Sequence, residues 1–214
     1  MNKAQALFDF DTISKQEEHL LYLIGTDEAG RGPAAGSVYA AAVCFFDKVD
    51  TSLFEKLNDS KKLNHKTRQE LFEIIKQNSY YSIKSVSVEE IEKINILQAS
   101  LLAMKMAVLD VIHQINKIDV LTLVDGNKLI KDFPFEQKYI IKGDSKSASI
   151  AAASILAKVS RDNYMDELDE KFPHYAWKNN KGYLTKAHIE AIGEFGTTPH
   201  HRLSFLKNII KSPQ

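Results

Sequence analysis

The chain holds a single cysteine, Cys44, so no internal disulfide can form. It sits in the apolar run AAAVCFF, where a free cysteine is expected to be a buried structural thiol, and nothing asks for an oxidising compartment. Net charge is equally lacking, since 28 Lys and Arg balance 28 Asp and Glu. Such a chain projects no long-range field toward nucleic acid or membrane, so a partner of either kind must be met by a local patch. Internal repeats, low-complexity tracts and long linkers rich in Pro, Gly or Ser are missing. The opening MNKAQALFDFDTISKQEEHL is acidic and has no unbroken apolar segment of the kind a secretory signal needs. No apolar run reads as long enough to cross a bilayer. The expectation is a cytoplasmic protein without a membrane partner.

What is present is ordinary globular material. With 214 residues, 44% of them apolar and 26% charged, the chain suffices for one substantial core or at most two small domains. LYLIG reads as a fully buried strand and SVYAAAVCFF as a second in hairpin-like succession. NHKTRQELFEIIKQN reads as a helix capped by Asn64, and YYSIKSVSV as a third strand. From about Asn95, Leu97, Leu101, Met104, Val108, Ile112 and Ile115 recur at helical spacing and form one apolar face. DVLTLVDG reads as a strand ending at Asp125, and KYIIKGD as another ending at Asp144. SKSASIAAASILAKVSRDNYMDELDEKF is a long helix with Ser145 or Ser147 as N-cap, its Ala- and Ser-rich first half suited to close packing on a sheet. Beyond Pro173, short helical patterns alternate with turn signals. Strands in succession, then strands alternating with helices, imply an α/β fold: a mixed β-sheet flanked by helices, with a helical C-terminal extension. The expected division is 1–18 as an N-terminal arm without an assigned element, 19–172 as the core, and 173–214 as the extension packed on it.

Asp27, Asp125 and Asp144 each fall where an apolar strand reading stops, and Glu28 adjoins the first. A lone Asp at such a place is ordinarily a turn former or a helix cap. Three strand ends together say more, because ligands of open α/β sheets collect outside strand ends. If these strands are neighbours, four carboxylates converge, and like charges raise one another's pKa. A divalent cation resolves that repulsion, and oxygen donors without His or Cys favour Mg²⁺ or Mn²⁺ over zinc. Two such ions about 4 Å apart are the usual apparatus for in-line attack on a phosphodiester, activating a water and stabilising the leaving oxygen. The neighbouring AGRGPAAG, with Gly25 and Gly30, superficially suggests a phosphate loop. Arg31 and Gly32 stand where Lys and Ser/Thr are required, so a nucleotide-hydrolysing switch fails on its own motif. Its glycines either make a tight turn or let backbone approach a ligand.

DEAGRGP (27–33), DSKKL (59–63), VDG (124–126), KGD (142–144), SIAAASILAKVSRD (149–162) and NKGY (180–183) occur in that order. As a set they closely resemble the type 2 ribonuclease H family, and within it bacterial ribonuclease HII, from about residue 20 to about residue 205. The resemblance implies a ribonuclease H-like fold and an endonuclease that cuts the RNA strand of RNA–DNA hybrids. It also implies incision 5′ to single ribonucleotides embedded in duplex DNA, leaving 3′-hydroxyl and 5′-phosphate ends. The family's metal-binding catalytic carboxylates fall on Asp27, Glu28, Asp125 and Asp144, with two Mn²⁺ or Mg²⁺ ions as cofactors. Its Gly-Arg-Gly segment, which meets the ribonucleotide 2′-hydroxyl, falls on Gly30, Arg31 and Gly32, and its substrate tyrosine on Tyr183. That hydroxyl is what separates RNA from DNA at one position. Leu184 stands where Pro or Gly is the family's habit. Asp162 falls inside the long helix and is read as supporting the fold rather than holding metal. The family favours a monomer.

A nucleic-acid enzyme without net charge needs a basic face. Lys171, Lys178, Lys181, Lys186, Arg202, Lys207 and Lys211 outweigh Glu190 and Glu194 in the C-terminal region. Lys61, Lys62, Lys142 and Lys181 are expected to meet the nucleic-acid backbone. His174, His188, His200 and His201 lack a metal-ligand spacing and carry no assigned role. Ribonuclease HIII, a relative that usually carries a substrate-binding domain before the core, lacks the Gly-Arg-Gly segment that is intact here. A non-catalytic binding module on the same scaffold would be expected to lose a carboxylate, and all four are present.

Overall fold

The structure, a computed structural model, describes residues 3–58, 60 and 63–209. In chain order it contains α1 (Lys3–Glu17), β1 (Tyr22–Ala29), β2 (Val38–Phe45), α2 (His65–Gln77), β3 (Ser79–Val86), α3 (Val88–Ile94) and α4 (Ile96–Ile115). Then follow β4 (Val120–Asp125), β5 (Glu136–Ile140), α5 (Ala148–Lys171), α6 (Trp177–Asn180) and α7 (Lys186–Phe195). The five strands form one sheet in the order β3-β2-β1-β4-β5. β1 and β3 each pair antiparallel with β2, whereas β1, β4 and β5 run parallel. This is the mixed sheet flanked by helices expected from the sequence.

Alternation along β2 sets the layering. Ala40, Ala42 and Cys44 face one side and join α4, while Ala41 and Val43 face the other and join α5 and α2. Small side chains on both faces let two long helices lie close to the central strands. On the α5 side β1 contributes Gly25, where a Cβ would overlap the backbone of Ser149 and Ile150. Only glycine lets the first turn of α5 press onto the sheet there. Ser147 caps that helix by accepting the Ile150 N–H at 3.2 Å, and Asn64 caps α2 by accepting from Thr67 at 2.9 Å. Cys44 is buried, and burial pushes its thiol up to about 12.

Several expectations need correction. α4 is long and apolar enough to cross a membrane by length and composition, contrary to the expectation that no run is. Lys105 and Asp110 interrupt its apolar residues. In the fold it is a core helix, burying Ala99, Ala103, Ala107 and Val111 beside Met104, Val108 and Ile112 against β2 and β3. The buried stripe is therefore alanine-rich and rotated from the expected face, leaving Leu97 and Leu101 half-buried. β3 stops at Val86, and Ser87 caps the short α3 by accepting the Glu90 N–H. Residues 3–17, which showed no clear pattern, form α1, with Leu7 and Phe8 in the core. Asp11 locks that helix down by accepting from Ser149 N and Oγ at 2.8 and 2.7 Å.

Candidate active site

Parallel pairing brings two of the acids together. Thr26 lies opposite Val124 in the β1–β4 register, so the following residues, Asp27 and Asp125, are neighbours at the same end of the sheet. The strand boundaries differ from expectation. β1 continues through Asp27 and Glu28, because Ala41 and Ala40 of β2 keep pairing with them. β5 ends at Ile140, and Asp144 sits in the 3-10 turn Gly143–Ser145 instead of ending a strand. That turn is tied back to β4, since the Gly143 N–H donates to Asp125 Oδ1 at 2.6 Å.

Asp27, Glu28, Asp125 and Asp144 line one pocket of about 340 Å³. Gly30, Arg31, Gly32 and Tyr183 form part of the same wall. Asp27 is 6% exposed. Burial above all, then the charges of Glu28 and Asp125, holds its carboxyl well above the usual range, opposed by hydrogen bonds from Ser154 and the Glu28 N–H. Burial also raises Glu28, which Arg31 pulls down and Asp125 pushes up; Arg31 Nη1 stands 3.4 Å from Glu28 Oε1. The donor set is all oxygen, which fits a hard divalent cation, and the raised carboxyls are the ones such a charge would relieve. Among the described residues no three His, Cys, Asp or Glu groups already close on one point, so the acids share a cavity without forming a finished chelate.

The Gly-Arg-Gly loop is held from behind by two buried arginines. Arg161, 2% exposed, donates to the carbonyls of Ala35 (3.1 Å), Ser37 (3.3 Å) and Lys181 (3.1 Å). Arg202, 0% exposed, donates to Pro33 (2.8 Å) and through two nitrogens to Gly36 (2.9 and 2.6 Å). Gly30 has φ +102°, and a Cβ there would overlap the Arg161 side chain, so glycine is required on both counts. The Tyr183 ring is half-exposed, with Cε1 3.3 Å from the place a Gly32 Cβ would occupy.

Four polar pocket residues, Ser60, Ser154, Lys158 and Arg161, are not among the site residues expected from the sequence. Three of them lie on α5 at steps of four and three, one stripe of its surface, which was the available signal. Lys158 pairs with Asp162 at 2.6 Å. The basic face is redrawn. Arg202 is wholly buried, because the carbonyls of the 33–36 loop need its donors. Lys181 is bound to Asp166 and to the Asp162 carbonyl (3.3 Å), and does not line the pocket. Lys142 is exposed at a left-handed turn position outside the pocket lining, whereas Lys61, Lys62 and Lys211 lie outside the described residues. Leu184 packs against the cluster built on Trp177 and Met165.

Comparison with known proteins agrees with this geometry. Residues 24–208 match the family model described as ribonuclease HII. Ribonuclease HII of Clostridioides difficile is 49% identical, over 94% of this chain and 82% of that protein. Among solved structures, the ribonuclease HII of Archaeoglobus fulgidus in its PCNA complex superposes with a TM-score of 0.69 at 26% identity, covering 86% of this chain and 94% of that one. Bst-RNase HIII in complex with Mn²⁺ gives a TM-score of 0.67 at 18% identity, covering 94% of this chain and 69% of that one, and so shares the fold. The fold is common to both branches, whereas the family model and the close sequence relatives fall in one: the chain belongs to the ribonuclease HII family, the type 2 ribonuclease H endoribonucleases.

Proposed function

We propose that the protein hydrolyses the RNA strand of RNA–DNA hybrids and incises 5′ to single ribonucleotides in duplex DNA, leaving 3′-hydroxyl and 5′-phosphate ends. The observation that carries this reading is that the four acids share one pocket with Gly30, Arg31, Gly32 and Tyr183. Chemistry on a phosphodiester and recognition of the adjoining sugar can then occur at one place.

Asp27, Glu28, Asp125 and Asp144 would hold two divalent ions, Mg²⁺ or Mn²⁺. Bound there, such ions supply an activated water and charge for the leaving oxygen. The Mn²⁺ in Bst-RNase HIII supports the choice of metal by analogy of fold alone. The chain's own groups do the rest. The Glu28 N–H holds Asp27 Oδ1 at 2.7 Å, and the Gly143 N–H holds Asp125 Oδ1 at 2.6 Å, so backbone donors orient both carboxylates in the pocket. The Gly30–Gly32 backbone, with the Arg161 side chain packed beside Gly30 and Arg202 donating to the Arg31 carbonyl, would meet the 2′-hydroxyl. Tyr183 would pack its ring on the neighbouring deoxyribose, and Lys158, which shares the pocket with the acids, would face the phosphates.

End-labelled duplexes that are all DNA, contain one ribonucleotide, or pair RNA with DNA test this with Mg²⁺, Mn²⁺ or chelator. Metal-dependent cutting on the 5′ side of the lone ribonucleotide is expected. Cutting of the full hybrid alone would remove the junction-sensing role from Gly30–Gly32 and Tyr183.

A further inference from the structure

Behind the pocket lies a buried group of rings that the chemistry above does not use. His188 and His201 are 0% and 2% exposed, and their Nε2 atoms stand 3.1 Å apart. Their surroundings assign the protons. The Thr198 N–H donates to His201 Nδ1 at 3.0 Å, so that nitrogen is bare and the proton sits on Nε2. His188 Nδ1 lies 2.9 Å from the Tyr183 carbonyl, which can only accept, so His188 carries its proton there. His188 Nε2 then accepts from His201 and from Trp177 Nε1, 3.1 Å away. With both rings neutral every one of these contacts is satisfied, and a second proton on either ring would face another donor. Burial, which comes first in lowering both imidazoles, agrees, with His201 brought to about 4.

The two ends of this relay are the two elements assigned to sugar recognition. His201 forms an antiparallel bridge with Ala35, and the next residue, Arg202, donates its N–H to Ala34 O at 2.7 Å. The Ala34 N–H donates in turn to Gly182 O at 2.9 Å, beside Tyr183. At the other end, the Tyr183 carbonyl accepts both His188 Nδ1–H and the Thr185 N–H. The relay thus joins the segment after Gly30–Gly32 to the backbone of Tyr183.

We propose that His201 and His188 are positioning residues that fix the Tyr183 carbonyl and so set its ring over Gly32, determining discrimination for a ribonucleotide that neither histidine touches. The idea rests on the reading of Tyr183 and Gly30–Gly32 as the sugar sensors.

Ring nitrogen-15 spectra at neutral pH read the arrangement without reference to activity. His201 is expected as the Nε2–H tautomer and His188 as the Nδ1–H tautomer; the opposite tautomer, or a charged ring, overturns the relay. Kinetics on a duplex with one ribonucleotide read its consequence. His201→Phe removes the donor toward His188 and is expected to lower kcat/KM about tenfold, whereas His201→Gln, which keeps a donor, restores most of the loss. In a Tyr183→Ala background the same substitutions are expected to change kcat/KM by less than about twofold. Equal losses with and without the Tyr183 ring overturn the proposal and leave the pair a packing role. If His201→Phe does not fold, His188→Gln, which keeps a polar group toward His201 and Trp177 but loses the donor to the Tyr183 carbonyl, replaces it with the same required dependence on Tyr183. Wild type that cuts no ribonucleotide-containing duplex signals instead a failure of the proposed function; it removes the discriminating role even where the tautomers are as expected.

Discussion

The backbone N–H of Gly143 donates to Asp125 Oδ1 at 2.6 Å, and this single bond ties the end of one parallel strand to the turn that carries Asp144. Asp125→Asn keeps an oxygen that can accept this bond while removing a charge from the pocket. Cleavage is expected to fall at least about a hundredfold, because a neutral amide is a poor ligand for a hard cation. The metal-free protein is expected to melt no lower than wild type, since a like charge beside Asp27 and Glu28 has gone. Cleavage assays and thermal melts with chelator check both halves. A variant that stays active removes Asp125 from the metal site.

The raised carboxyls give stability a sign with pH. Asp27 and Glu28 bind a proton more tightly folded than unfolded, so their contribution to metal-free stability is fully present below the ordinary carboxylate pKa and is lost as pH rises through the folded values. Midpoints measured with chelator are expected to be higher at pH near 5 than near 8, the difference attributable to these acids shrinking in Asp27→Asn. Added Mg²⁺ or Mn²⁺ is expected to raise the midpoint more at the higher pH, because an ion binds the ionised form. A metal effect independent of pH would contradict the assignment of the acids as ligands.

Gly30 and Gly32, two positions apart in the chain, are expected to fail differently. Gly30→Ala meets both a positive φ and the Arg161 side chain, and should lower stability by about 2 kcal/mol or more in urea unfolding. Gly32→Ala has only the Tyr183 ring at 3.3 Å to contend with. It should fold with near-normal stability and lose activity on ribonucleotide-containing duplex about tenfold or more, since the methyl occupies the wall where the sugar would lie. Measuring both properties on both variants separates a fold requirement from a recognition requirement.

Arg202 is a structural cation. Its three nitrogens serve the Gly36, Pro33 and Arg31 carbonyls, the last at 3.3 Å. Lysine cannot reproduce that fork, and Arg202→Lys is expected to cost about 2–4 kcal/mol of unfolding free energy by leaving buried carbonyls unpaired. If it instead lowered duplex affinity and its salt dependence without loss of stability, Arg202 would belong to the nucleic-acid face after all.

Much of this was legible in the sequence for reasons that can be named. Strand β2 and helix α5 betray themselves by small residues in unbroken apolar runs, and Asn64 and Ser147 mark helix starts through an oxygen placed to accept backbone N–H groups. The four acids could be gathered because each lies near the end of an apolar stretch. Other features depend on tertiary structure. Helix α1 is held by Leu7, Phe8 and the reach of Asp11 to Ser149, far away in sequence, so local pattern does not announce it. Arg202 looks like any surface cation until the carbonyls of residues 33–36 are seen around it. Lys181 looked available to a phosphate and is turned inward to Asp166. His188 and His201 have no ligand spacing, and two of the groups that fix their protons, the Tyr183 carbonyl and the Thr198 N–H, are backbone groups, which side-chain motifs cannot show.

The most direct test of the central claim is an anomalous-scattering map of crystals of the protein with Mn²⁺ and a duplex that carries one ribonucleotide behind a non-hydrolysable 5′ phosphodiester. Two manganese peaks among Asp27, Glu28, Asp125 and Asp144 are expected, with the 2′-hydroxyl against Gly30–Gly32 and the Tyr183 ring beside the next sugar. Manganese bound elsewhere, or a ribose whose 2′-hydroxyl faces away from that loop, would contradict the assignment of this pocket.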